Sequence, residues 1–145
     1  MTHNFSGRKS DAFFGVYDGH GRDGDKCSQF ARDHLPPMTA KIVDKVIMDK
    51  ENAASNDANN GDDCVTVDLS KDVLQNAITK AHVECNKKMH ACQDLDDSLS
   101  GTTSISLYLH GNTNKITVSN VGDSRAVIGR STASDKEGSS TTSSS

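Results

Sequence analysis

Tryptophan is absent from the 145-residue sequence, proline occurs only twice, and aromatic residues make up 4% of the chain. With 33% hydrophobic residues, the chain has apolar material for one small core and no more. Two stretches are nearly devoid of apolar side chains, Glu51 to Asp63 and Ser131 to Ser145. Packing must therefore concentrate elsewhere.

No Lys/Arg cluster is present, and the formal net charge is -4. That excludes nucleic acid or an anionic membrane as the main partner, because both demand concentrated positive charge. No apolar run approaches the roughly twenty residues needed to cross a bilayer, and the leading MTHNFSGRKSD lacks the apolar segment of a signal peptide. The expectation is a soluble cytoplasmic or nuclear protein. Cys27, Cys64, Cys85 and Cys92 form no CxxC pair and have no histidines at zinc-finger spacing, so reduced thiols are expected.

What is there begins with Ala12 to Tyr17 (AFFGVY), a short apolar run that predicts a strand buried on both faces. The chain then turns at Asp18-Gly19-His20-Gly21. Beyond it, Cys27, Phe30, Ala31 and Leu35 recur at helical spacing until Pro36-Pro37, where the helix is expected to end. A second helix is expected from about Met38 to Lys50, with Ile42, Val43, Val46 and Ile47 on one face. The polar segment 51–64 reads as a flexible surface insertion, and its carboxylates do not match the calcium-loop spacing. Ser70 is placed to cap a long helix over Lys71 to Gln93, whose apolar face carries Leu74, Ile78, Ala81, Cys85, Met89 and Cys92.

GTTSISLYLH alternates Ile105, Leu107 and Leu109 on one face, and a turn over Gly111 to Asn114 leads to a return strand, Lys115 to Val121. Gly122-Asp123-Ser124 breaks that strand, and Arg125 to Arg130 is expected to be a third strand of an antiparallel meander. Residues 131–145, almost wholly Ser, Thr and charge, are expected to form a disordered tail after a domain spanning 1–130.

Chemistry concentrates at the first turn. An Asp just past a strand has its backbone fixed by the sheet, and a glycine beside it leaves a carbonyl unshielded. Asp18 and Gly19 thus offer hard oxygen donors suited to Mg²⁺ or Mn²⁺, with His20 able to donate a proton near neutral pH. The same residues also fit an ordinary type I′ turn with an exposed histidine.

Two blocks taken together, FFGVYDGHGRDGDKCSQFARDHLP and SGTTSISLYLHGNTNKITVSNVGDSRAVIGR, resemble the metal-dependent protein phosphatases of the 2C family, in their plant and protist form. The resemblance covers about residues 5 to 130 apart from the polar insertion. It implies an α+β fold, part of a four-layered αββα sandwich of antiparallel sheets truncated at both ends. It also implies an Asp18 that bridges two Mg²⁺ or Mn²⁺ ions, a Gly19 carbonyl on one of them, His20 as general acid, and Asp123 as a weaker ligand for a third. Arg125 reads as structural. The implied reaction is hydrolysis of phosphoserine or phosphothreonine in protein substrates by metal-activated water.

Departures from the family pattern shape the expectation. The acidic residue and phosphate-binding Arg usual before the DGHG strand have no counterpart, since Arg8 lies too close to Ala12. The family's later aspartates, in a DG and a DN motif, are also missing. Two functions follow as alternatives: a phosphatase whose site needs further parts, inactive as this chain alone, or a non-catalytic phosphatase-like module that binds partners. An open core and bare strand edges imply poor solubility or a partner chain.

Overall fold

The computed structural model describes residues 2–3, 5–57, 71–111 and 114–130. Ser70, residues 58–64 of the polar insertion, Cys64 among them, and the whole Ser-rich tail lie outside them. Two β-branched and aromatic runs, Ala12–Val16 (β2) and Ser104–His110 (β5), form the centre of a four-stranded antiparallel sheet. Phe13 stands opposite Tyr108, and Val16 opposite Ile105. Lys115–Val121 (β6) returns beside β5, and Thr2–His3 (β1) pairs with the other side of β2, giving the order β1-β2-β5-β6. Gly19–His20 (β3) and Gly101–Thr102 (β4) pair separately at one end of this sheet.

One helix layer covers one face of the sheet, so the α+β expectation holds, with open sheets. Because strand side chains alternate, Phe13 and Tyr108 share the covered face, where they pack with Phe5, Val43, Ile47, Leu74 and Ile78. Phe5 stacks on Phe13 at 4.9 Å and meets Tyr108 edge-on at 5.0 Å between ring centroids. The opposite face carries Phe14, Val16, Ile116 and Val118, 39%, 64%, 47% and 50% exposed. Burial of β2 on both faces is therefore corrected: among the described residues, only its Ala12–Phe13 end is enclosed, and nothing covers Phe14 and Val16.

The larger correction concerns the prolines. A single helix, Gly24–Asp57 (α1), runs through Pro36 and Pro37 and on into the segment read as an insertion. Proline removes the amide that would bond four residues back, freeing the carbonyls of Arg32 and Asp33. Both residues are exposed, so water can satisfy those groups. On the packed side Cys27, Ala31, Leu35, Thr39, Val43 and Ile47 are all buried. This stripe of i+4 steps crosses both prolines, and the burial it secures outweighs the local break. Thr39, buried within it, donates its hydroxyl to the Leu35 carbonyl at 2.8 Å.

Lys71–His90 (α2) buries Leu74, Ala77, Ile78, Ala81, Cys85 and Met89, as its spacing predicts. It ends before Cys92, which lies in the following turn. Its first half packs near Val43 and Ile47, and Met89 packs with Cys27 and Ala31, so the helices run antiparallel. Cys27, Cys85 and Cys92 are free thiols. Arg125 to Arg130 forms no strand, contrary to the meander expectation. Its apolar residues Val127 and Ile128 are adjacent, which gives no one-sided stripe to bury, and both are exposed.

Candidate functional site

The sequence turn after β2 is itself drawn into a ladder. Gly19 pairs with Thr102 and His20 with Gly101, so the turn is fixed by β4 rather than left as a free loop. Backbone approaches here require glycine. A Cβ on Gly19 would stand 2.0 Å from the Gly24 carbonyl oxygen, so the first turn of α1 sits directly against this residue. Gly21 has φ +84 and faces the backbone of Leu99 and Ser100. The His20 ring lies over Gly101, whose Cβ would come within 2.9 Å of its Cε1. Asp18, Gly19 and His20 are all exposed.

Thr103 ties this turn to the second motif. Its amide donates to the Asp18 carbonyl at 2.8 Å, and its Oγ1 accepts the Asp18 amide at 3.2 Å. The same Oγ1 lies 2.7 Å from the Ser124 hydroxyl, next to Asp123. Gly122, with φ +98, presses where a Cβ would meet the Thr103 methyl at 2.9 Å. Because β2 and β6 both flank β5, the ends of all three strands bring Asp18, Thr103 and Asp123 to one end of the sheet. Asp123, like Asp18, is exposed.

A second set of contacts braces the start of α1. The Asp23 amide donates to Ser100 Oγ at 3.0 Å, and its carboxylate accepts the Asp96 amide at 2.9 Å and pairs with Lys26 at 3.4 Å. The Asp96 amide, with help from Lys26 and Arg22, holds the Asp23 carboxyl below its ordinary value. Lys26 also donates to the Asp94 carbonyl at 3.2 Å, and His90 pairs with Asp97. The loop from α2 to β4 is thus pinned beside the turn. Thr103, Ser124 and Ser100 were not singled out from sequence as part of a site, and Asp23 was read only as opening the helix that follows the turn. The one available signal was a run of hydroxyl residues beside glycines at both motifs, which many loops share.

The candidate donors named from sequence are two carboxylates, Asp18 and Asp123, and the Gly19 carbonyl. Two divalent cations need more negative charge and two nearly complete oxygen shells. Among the described residues no group of three or more His, Cys, Asp or Glu is placed to hold a metal ion. The described residues do not fit a complete metal pair.

The family model described as Protein phosphatase 2C matches residues 1–142. Probable protein phosphatase 2C 35 of Arabidopsis thaliana is 34% identical over 116 residues, covering 80% of this chain and 25% of its own length. Two rice (Oryza sativa subsp. japonica) proteins, probable protein phosphatases 2C 75 and 2C 73, are 27% and 26% identical, covering 92% and 86% of this chain and 34% and 31% of theirs. The chain spans about a quarter to a third of the length of these curated relatives. No solved structure matches it.

Proposed function

The chain belongs to the protein phosphatase 2C family, and from that premise we propose that it supplies part of a site that hydrolyses phosphoserine and phosphothreonine in proteins. In this reading Asp18, the Gly19 carbonyl and Asp123 contribute oxygen ligands for Mg²⁺ or Mn²⁺, and His20 donates a proton to the departing oxygen. The observation that supports it is the Thr103 link, which holds the Asp18 turn and the Asp123 turn at one end of the sheet. Such fixing lets exposed carboxylates be aimed without an ordering cost at the moment of binding.

Because the described donors fall short of a metal pair, the chain alone does not turn over substrate. Further acidic residues complete the site. A cytoplasmic or nuclear setting suits phosphoprotein substrates, and no helix among the described residues is long and apolar enough to cross a membrane. The test is hydrolysis of a phosphothreonine peptide by the purified chain with millimolar Mn²⁺. No release of phosphate is expected. Metal-dependent release that Asp18→Ala abolishes would show that the site is complete after all.

A second reading, a non-catalytic module that binds a partner, draws on the sheet face with Phe14, Val16, Ile116 and Val118. An apolar face of this kind is suited to contact with another protein surface. Pull-down of a partner by the wild-type chain but not by a Val16→Lys, Val118→Lys variant would favour it.

A further inference from the structure

Thr103 uses every atom of its side chain on the two motifs. Its Oγ1 serves the Asp18 amide and the Ser124 hydroxyl, and its Cγ2 fills the space that Gly122 leaves. Gly122 and Ser124 are the two neighbours of Asp123. A β-branched residue holds its χ1 more firmly than a serine or an unbranched residue would, so fixing Oγ1 against Asp18 also fixes Cγ2 against Gly122. The amide of Thr103 closes the arrangement by bonding the Asp18 carbonyl.

We propose that Thr103 is a positioning residue that sets the Asp18 turn and the Asp123 turn in one fixed relation, its hydroxyl aligning the first and its hydroxyl and methyl together the second. The bearing on phosphate hydrolysis rests on the reading above; the coupling between the turns does not. Valine and serine separate the two roles. Thr103→Val keeps the methyl and the shape but removes the acceptor for the Asp18 amide, whereas Thr103→Ser keeps the hydroxyl and removes the methyl. A buried wall is not at stake, because Thr103 is only half-buried.

The experiment is NMR on the full 145-residue chain, reading hydrogen exchange of the Asp18 amide and ¹⁵N order parameters at residues 122–124. In Thr103→Val, Asp18 exchange is expected to accelerate about five- to tenfold, the equivalent of one lost hydrogen bond. Order parameters at 122–124 are expected to fall from roughly 0.85 toward 0.6 in the same variant. Thr103→Ser is expected to restore Asp18 protection while leaving 122–124 partly loosened. Thr117→Val, which breaks the bond to His110 at the far end of the same strand pair, is expected to change neither reading. If Thr103→Val leaves Asp18 exchange within twofold of wild type, or accelerates the Leu107 and Tyr108 amides equally, the proposal is wrong. Should Thr103→Val not fold, Ser124→Ala decides: mobility rising at 122–124 supports the link, and unchanged mobility overturns it. Either result leaves the phosphatase reading to its own assay.

Discussion

Removing the hydroxyl is expected to destabilise the protein at Tyr108 and not at Tyr17. The Tyr108 hydroxyl donates to Asp11 Oδ2 at 2.6 Å inside the core, and Asp11 Oδ1 accepts the Gly111 amide at 3.0 Å. Asp11 is only 4% exposed, so each of these bonds replaces solvent that cannot reach it. Burial and the Asp11 carboxylate both push the Tyr108 phenol well above its ordinary value, keeping it a donor. A hydrogen bond to a charged group contributes about 1.5–3 kcal/mol, and Tyr108→Phe leaves no space beyond one oxygen. A loss of roughly 2 kcal/mol follows. For a described body of this size it corresponds to a fall in Tm on the order of 10 °C.

Tyr17 has no such partner. Its hydroxyl is the buried side-chain polar atom, among the described residues, that makes no hydrogen bond, and burial pushes its phenol up to about 12. Losing an unsatisfied hydroxyl removes a desolvation cost, so Tyr17→Phe is expected to leave stability unchanged or raise it by up to about 1 kcal/mol. Urea unfolding followed by circular dichroism reads both, with an unchanged m-value required before midpoints are compared. If Tyr108→Phe costs under about 0.5 kcal/mol, or Tyr17→Phe costs more than Tyr108→Phe, the assignment of these two hydroxyls is refuted.

Other expectations follow from single contacts. Gly19→Ala must displace backbone, because its Cβ falls 2.0 Å from the Gly24 carbonyl oxygen, whereas Gly24→Ala meets Gly19 at 2.8 Å; the first is expected to cost more than the second, about 3 kcal/mol or above, by urea midpoints. Asp23 has a lowered folded pKa, so its stabilisation is present above the ordinary carboxylate range and lost as pH falls through the lowered value. The stability gap between wild type and Asp23→Asn is therefore expected to close toward acid, and a gap that is constant with pH would contradict this. His90 has a raised folded pKa through Asp97, so its contribution is full below its ordinary value near 6.5 and is lost as pH rises through the raised one. Proton NMR of the His90 ring is expected to show a midpoint that drops in Asp97→Asn.

Much of the fold could be read from periodicity. The α2 face from Leu74 to Met89 and the pairing of β5 with β6 follow the spacing of apolar residues. Pro36-Pro37 misled because the local rule describes an isolated helix, whereas the i+4 stripe from Cys27 to Ile47 lies on the packed side and leaves the lost bonds in water. Burial of β2 misled because AFFGVY looks the same whether one face or two are covered. Asp18, Gly19, His20 and Asp123 were named as candidates from sequence, because carboxylate, carbonyl and imidazole chemistry shows there. Thr103 was not, because a threonine among threonines acquires its contacts to Asp18 and Ser124 only when three strand ends meet.

We propose that this chain supplies metal ligands to a phosphatase site that further residues complete. This is tested most directly by replacing the matching segment of the Arabidopsis relative, 34% identical to this chain, with residues 5–130. A folded chimera is expected to hydrolyse a phosphothreonine peptide in the presence of Mn²⁺ and to lose that activity with Asp18→Ala. A chimera that folds, as judged by circular dichroism and a cooperative urea transition, yet stays inactive while the parent turns over would contradict the account.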